Sequence, residues 1–382
     1  MTIMNLKATL NISVCVALYF SLFGCTSEKR NESSLLYIDV SASYPEKEIQ
    51  LEDIADIEYL QLAVNEEFLF SASPLIITTE KMIIQESNGE ILTFTRDGKP
   101  LYKFNHRGNG PGEYPEITGA GTIRYEEALD EILVPTPNKI MVYASSGEFR
   151  REIPMPKRFT FFSRIENFDT ETLLLYDSQG SYPASFLLIS KEDGSVVDTV
   201  YMPNSKEQDF TIRTEKVSIW PGIDHIVRHK DGYLLNDGSH DTLYYFSSKK
   251  ELLSTLVRTP KIHSMNPKVI LFTFVEVGNY EFIGITKRLE NSGSFSRKYL
   301  MRDKKTGFLC SQRFIFRDYK GKVINDLFLW RKIQDSRLLM IDLSLVELQD
   351  ANRENKLSGK LKELVDNSDE DGNDIYMLLH FK

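Results

Sequence analysis

The sequence predicts an all-β chain folded as a six-bladed β-propeller, with a helical insertion in the last blade and closure by pairing of its N- and C-terminal strands. Three observations lead there. A phrase of apolar strand, tight turn and second strand recurs along the chain: Ile91 to Phe104, Lys139 to Ile153 and Phe186 to Val200. The turn glycines of these copies, Gly98, Gly147 and Gly194, are spaced by 49 and 47 residues. The densest Gly/Pro stretch, His106-Arg107-Gly108-Asn109-Gly110-Pro111-Gly112-Glu113-Tyr114-Pro115, falls directly after the first copy and reads as the join between the first two blades. Asp-Gly and Ser-Gly between apolar runs mark hairpins because glycine accepts positive φ. A period near 50 built of hairpins matches one four-stranded sheet per repeat. A pair of β-sandwiches fits the even period poorly, and units of this length are too long for β-helix coils.

In chain order, the first 24 residues read as a signal segment. Lys7 supplies a positive charge, and Ala8 to Phe23 is a mostly apolar run. It is too short to span a membrane comfortably, which takes roughly 20 apolar residues, and has the layout of an export signal. Leu22-Phe23-Gly24-Cys25 resembles the bacterial lipobox, and that resemblance implies Cys25 as the lipidated first residue of the mature protein. Residues 25–48 are polar and read as a tether. The propeller is expected over 49–382, opening at Ile49-Gln50-Leu51 with a first full strand near Ile57 to Val64.

Other strands of the early blades read from Leu75 to Thr79, Met82 to Gln85, Ile132 to Val134 and Leu173 to Tyr176. Later copies of the hairpin are degenerate. Thr242 to Phe246 pairs with Leu252 to Leu256, and Arg297 to Met301 with Phe308 to Cys310. Tyr233 to Asn236, Val269 to Val277 and Tyr280 to Ile285 supply further strands, and Ile375 to Phe381 is the last. Leu343 to Val365 breaks the pattern: Lys356 to Val365 has helical spacing and reads as an insertion before the closing strand.

Composition narrows the function classes. The chain has 382 residues, 41% hydrophobic and 26% charged, so a large core is available. Its net charge of −9, with both signs mixed along the chain, argues against nucleic acid as the partner. With Cys15 in the signal and Cys25 acylated, Cys310 stands alone, and a lone cysteine forms no intramolecular bridge. It reads as a buried structural thiol.

Motifs that resemble known chemistry fail on inspection. Gly108 to Gly112 lacks the Lys-Ser/Thr ending of a phosphate loop, and Pro111 and Pro115 remove amide donors. Its glycines read as packing devices, with Glu113 accepting backbone donors and Tyr114 in an inter-blade seam. Asn367 to Leu378 has carboxylates at loop positions 3 and 5 and Gly372 at position 6, but Asn at position 1 and Leu378 at position 12, unlike an EF-hand. His225 and His229 stand four apart without the glutamate of a zincin. No Gly-x-Ser-x-Gly elbow is present. No cofactor or metal is expected, and no catalytic residue is named. The residues proposed to touch a ligand are His106, Arg107, Glu113, Tyr114 and Trp220, the last in Trp220-Pro221-Gly222.

The layout resembles the six-bladed β-propeller lipoproteins found mostly in Bacteroidetes. The resemblance rests on Ile57-Glu58-Tyr59-Leu60-Gln61-Leu62, Ile91 to Gly98, the Gly-Pro-Gly-Glu-Tyr run Gly110 to Tyr114, Asp241-Thr242-Leu243-Tyr244 and Ile375 to Lys382. It implies fold and envelope address, and no activity. Two readings follow. One is an envelope-anchored, monomeric, non-catalytic module that binds a glycan, peptide or partner protein and meets the membrane through Cys25. The other is a propeller hydrolase or lyase, metal-dependent or not, acting on an exported substrate. An inward-facing cluster of Asp, Glu, His or Asn at the channel mouth distinguishes them.

Overall fold

Six small sheets of mostly antiparallel strands follow one another along the chain and form the blades of a propeller (computed structural model). The structure describes residues 35–382 except 64, 75, 118–122, 157–163, 177–185, 204–211, 214–217, 220, 290–293, 326, 328–329, 334–337 and 371. Ahead of the blades come β1 (Leu36–Asp39), β2 (Glu46–Gln50), the short α1 (Leu51–Ile54) and β3 (Ala55–Gln61). Blade 1 holds β4 (Ile76–Ile77), β5 (Lys81–Gln85), β6 (Ile91–Thr95) and β7 (Pro100–Phe104). Blade 2 holds β8 (Arg124–Glu126), β9 (Glu131–Pro135), β10 (Lys139–Ala144) and β11 (Phe149–Pro154). Blade 3 holds β12 (Arg164–Asn167), β13 (Thr172–Tyr176), β14 (Phe186–Ser190) and β15 (Val196–Val200). A two-stranded ribbon, β16 (Ile212–Arg213) and β17 (Ser218–Ile219), precedes blade 4.

Blade 4 holds β18 (Ile226–His229), β19 (Gly232–Leu235), β20 (Thr242–Phe246) and β21 (Leu252–Thr259). Blade 5 holds β22 (Val269–Val277), β23 (Tyr280–Arg288), β24 (Phe295–Asp303) and β25 (Leu309–Ile315), with β26 (Val323–Ile324) beside β25. Blade 6 holds β27 (Trp330–Lys332), β28 (Leu338–Leu343) and β29 (Ile375–Phe381). Its fourth strand is β3, antiparallel to β29 from Ile375 opposite Gln61 to Phe381 opposite Ala55. Between β28 and β29 come α2 (Leu345–Arg353) and α3 (Gly359–Asp366), the expected helical insertion.

The fold begins earlier than Ile49. Two strands fall in or overlap the stretch read as a tether: β1 joins the outer edge of blade 4, and β2 runs parallel to β25 of blade 5. Their apolar pattern is thin because an edge strand buries little. Of β1 only Ile38 is buried, and of β2 only Ile49.

Blades stack face to face, so the core lies in the seams between them. Alternate side chains of one strand serve two seams: Met82 and Ile84 pack toward blade 6, and Ile83 toward blade 2. Leu173 and Leu175 pack toward blade 2, and Leu174 and Tyr176 toward blade 4. A strand covered on both faces has no polar side, which is why Thr172-Leu173-Leu174-Leu175-Tyr176 reads as continuous apolar sequence rather than as alternation. The helices cover the cluster of blades 5 and 6, with Leu345, Leu348 and Ala351 of α2 and Leu361 and Val365 of α3 facing inward. Cys310 is fully buried in the same cluster, and burial pushes its thiol pKa up.

Each early hairpin glycine also rests on the preceding blade. A Cβ on Gly98 would meet the Gln61 carbonyl, one on Gly147 the Phe104 side chain, and one on Gly194 the Pro154 carbonyl at 1.6 Å. Gly194 has φ +71°, and Gly307, in the blade 5 hairpin, has φ +74° with no atom near its would-be Cβ. The pair separates backbone strain from blade contact. Gly307→Ala is expected to cost about 1 kcal/mol of urea-unfolding stability, and Gly194→Ala about 3 kcal/mol or more, because the Pro154 main chain has to move. Equal losses in the two variants would show that the hairpin does not bear on the neighbouring blade.

Candidate functional site

The first strand of each blade lies nearest the propeller axis, and four of these strands or their approaches bring charged side chains together there. Arg124 comes from β8, Arg164 and Glu166 from β12, Lys332 from β27, and Asp224 from the segment just ahead of β18. On β12 the alternation Arg164-Ile165-Glu166 sends Ile165 into the seam with blade 2 and leaves the charges on the other face.

The geometry is a chain of ion pairs across the axis. Arg124 donates to Glu166 at 2.5 Å. Arg164 Nε lies 3.9 Å from Asp224, and the Lys332 ammonium contacts the other Asp224 oxygen directly. Lys332 Nζ also donates to the Phe274 carbonyl at 3.1 Å and sits 4.7 Å from the centre of the Phe274 ring, on β22. Behind Glu166, Tyr233 donates its hydroxyl to the Asn167 carbonyl and accepts from Arg228 at 2.9 Å. Burial, then the Glu166 charge, pushes the Tyr233 pKa up to about 12.

The cations crowd one another. Burial and the guanidiniums of Arg164 and Arg124 pull the Lys332 pKa down to about 7, against the carboxylates beside it. Burial, then Arg124, also lowers the Arg164 pKa. For Arg124 burial works in the same direction, but Glu166 more than offsets it and the pKa is raised. Asp224 is the most open of the five, its side chain 38% exposed. Its main chain is pinned: the buried Asn236 amide donates to the Asp224 carbonyl at 2.7 Å and to the Thr273 carbonyl at 2.8 Å.

The residues proposed from sequence lie elsewhere. His106 to Tyr114 ties blade 1 to blade 2. Gly108 N–H donates to the Tyr114 carbonyl and Tyr114 N–H to the His106 carbonyl, both at 2.9 Å. Glu113 accepts from Gly110 N–H at 2.8 Å. Tyr114 is fully buried and donates its hydroxyl to the Gly89 carbonyl at 2.7 Å. On the blade 2 side, His106 Nε2 meets the Gly147 carbonyl at 2.8 Å and its ring stacks on Tyr143. Arg107 is exposed, its main chain bridged to Tyr114. Trp220 and Cys25 lie outside the described residues.

His225 and His229 diverge. His225 stacks on Tyr176 with centroids 3.6 Å apart and donates from Nδ1 to the Asn236 carbonyl at 2.7 Å. His229 instead reaches Glu276 of blade 5 at 2.5 Å. In the acidic stretch, Asp374 accepts the first N–H of α2, from Leu345, and Asp366 binds Asn352 and Lys362. Among the described residues, no group of three or more His, Cys, Asp or Glu is arranged to hold a metal.

Comparison with known proteins agrees with this architecture. The family model described as a domain of unknown function, DUF4934, matches residues 35–380. The chain belongs to the DUF4934 family. Among solved structures, a Bacteroides fragilis protein described as exported aligns with a TM-score of 0.63 at 14% identity, over 91% of this chain and all of that one. BamB from Moraxella catarrhalis aligns at 0.42 with 8% identity, over 86% of this chain and 100% of its own. Virginiamycin B lyase from Staphylococcus aureus aligns at 0.39 with 11% identity, over 85% and 99%. These likenesses concern the fold alone. No curated protein matches the chain.

The axial residues of this DUF4934 propeller escaped the sequence reading, although a signal for them exists. Arg124, Arg164, Glu166 and Lys332 are charged positions on the first strand of a repeat whose second strand is almost wholly apolar. His225, next in the chain to Asp224, sets an acid limit on the fold. Burial lowers the His225 pKa from 6.5 to about 4, so the unfolded chain takes up the proton first. Stability present above about pH 6.5 is therefore lost as pH falls toward 4, by about 1.4 kcal/mol per pH unit from this group. His225→Phe, which keeps the stack on Tyr176, should flatten the fall in melting temperature between pH 6.5 and 4.5. An unchanged slope would mean that His225 is not the group responsible.

Proposed function

We propose that this DUF4934 protein is an envelope-anchored lipoprotein whose propeller binds the anionic group of an exported ligand, an acidic glycan or peptide, at its axis. The observation that carries the reading is the convergence of Arg124, Arg164 and Lys332, from blades 2, 3 and 6, around two carboxylates. Guanidinium forks and an ammonium, each largely withdrawn from solvent, favour a carboxylate or a similar oxyanion. Holding such charges together costs desolvation that apolar residues would avoid, so the cluster is better explained by a ligand than by stability. The hydrolase or lyase alternative calls for an inward-facing set of acids and imidazoles. Among the described residues at the axis, cations outnumber carboxylates.

The address rests on the leader and on Gly24-Cys25, and the exported description of the Bacteroides fragilis protein is consistent with it. Cys25→Ser should move the protein from the membrane to the soluble fraction; retention in the membrane pellet would remove the lipid anchor from the account. For the ligand, a glycan and peptide array probed with residues 35–382 should retain acidic members over neutral ones. Binding should weaken with salt and fall at least about tenfold in Lys332→Met and in Arg164→Met. Preference for neutral members, or undiminished binding in both variants, would overturn the axial reading.

A further inference from the structure

The two carboxylates of the axial cluster are held differently. Glu166 stands within β12, is about one-fifth exposed, and is locked by a charge-assisted hydrogen bond to Arg124. Asp224 stands outside the strands, its main chain pinned through Asn236 while its side chain stays open to solvent on one side. Its two oxygens face different cations, one lying 3.9 Å from Arg164 Nε and the other in contact with Lys332. A carboxylate bridging two cations has the geometry that an incoming carboxylate would adopt. Here the group is tethered, so it acts at high effective concentration.

Building on the axial reading above, we infer that Asp224 is a built-in competitor for the anion site: its carboxylate occupies the place between Arg164 and Lys332 that a ligand's anionic group takes. Rotation of one short side chain clears the site without moving the main chain, because the Asn236 amide bonds to the Asp224 carbonyl and not to its carboxylate. Lys332 is suited to such an exchange. It keeps the Phe274 carbonyl as a second partner, so it remains oriented while one carboxylate leaves and another arrives. A ligand must displace Asp224 to bind, so its apparent affinity is reduced by the fraction of time that Asp224 holds the site. The device admits ligands that engage both cations and turns away stray monovalent anions.

Citrate serves as the probe, titrated calorimetrically at low ionic strength into residues 35–382 as wild type, Asp224→Ala, Glu166→Gln and the double variant Asp224→Ala/Lys332→Met. Asp224→Ala and Glu166→Gln each remove one negative charge from the same cluster. Citrate should bind Asp224→Ala about tenfold more tightly than wild type, and Glu166→Gln within about threefold of it. The gain should vanish in the double variant. Equal tightening in the two single variants would reduce the effect to removal of charge and overturn the competitor role, as would no tightening in Asp224→Ala. Citrate binding to none of the proteins would instead defeat the axial anion site itself. Thermal melts confirm that each variant is folded, and Asp224→Ser replaces the alanine variant if the latter melts early.

Discussion

Pairing of β3 with β29 is the contact on which the rest of this propeller depends. Seven residues of β3, ahead of blade 1, lie antiparallel to seven at the end of the fold, from Ile375 opposite Gln61 to Phe381 opposite Ala55. An open row of blades would leave a sheet edge and two apolar blade faces exposed, and joining its ends removes them. The ends are secured further. Lys382 N–H donates to the Ile54 carbonyl at 3.0 Å, and the Lys382 carbonyl accepts from Asn279 N–H at 2.9 Å. Gln61 reaches across to the Asn373 carbonyl at 2.7 Å. The closure seals the cluster of Leu62, Met82, Phe94, Met340 and Leu378 between blades 6 and 1.

Closure also creates the axis. First strands from different blades are brought around one line, so residues as far apart in sequence as Arg124 and Lys332 fall within each other's field. The molecule divides its work accordingly. Seams of Leu, Ile, Val and aromatic side chains supply stability through burial of apolar area. The axis carries charges whose desolvation works against stability, and burial together with the neighbouring guanidiniums lowers the Lys332 pKa accordingly.

The Gly/Pro-rich run at His106 to Tyr114 shows how much of a blade junction local sequence can announce. Its turn chemistry correctly marks the passage from blade 1 to blade 2. The buried Tyr114 ring, with its hydroxyl on the Gly89 carbonyl, and His106, on the Gly147 carbonyl, fasten that passage on both sides. The glycines make room: a Cβ on Gly108 would lie 2.0 Å from the Glu113 carboxylate. Such punctuation is conspicuous because it is local, whereas an axial cluster draws one or two residues from each of several blades, and its local mark is only a charged first strand beside an apolar second one.

The sequence by itself determined the blade count, the hairpin positions, the helical insertion and the closing strand, because each follows from periodicity and turn chemistry within a few residues of chain. Thr172 to Tyr176 and Phe186 to Ser190 announce strands covered on both faces, and Gly98, Gly147 and Gly194 announce their turns. Only the tertiary structure decided that β1 and β2 extend blades 4 and 5, since an edge strand that buries one residue leaves almost no pattern. Only the tertiary structure brought Arg124, Arg164, Glu166, Asp224 and Lys332 together. Their proximity arises from ring closure, a constraint between residues more than 300 positions apart that no window of sequence contains.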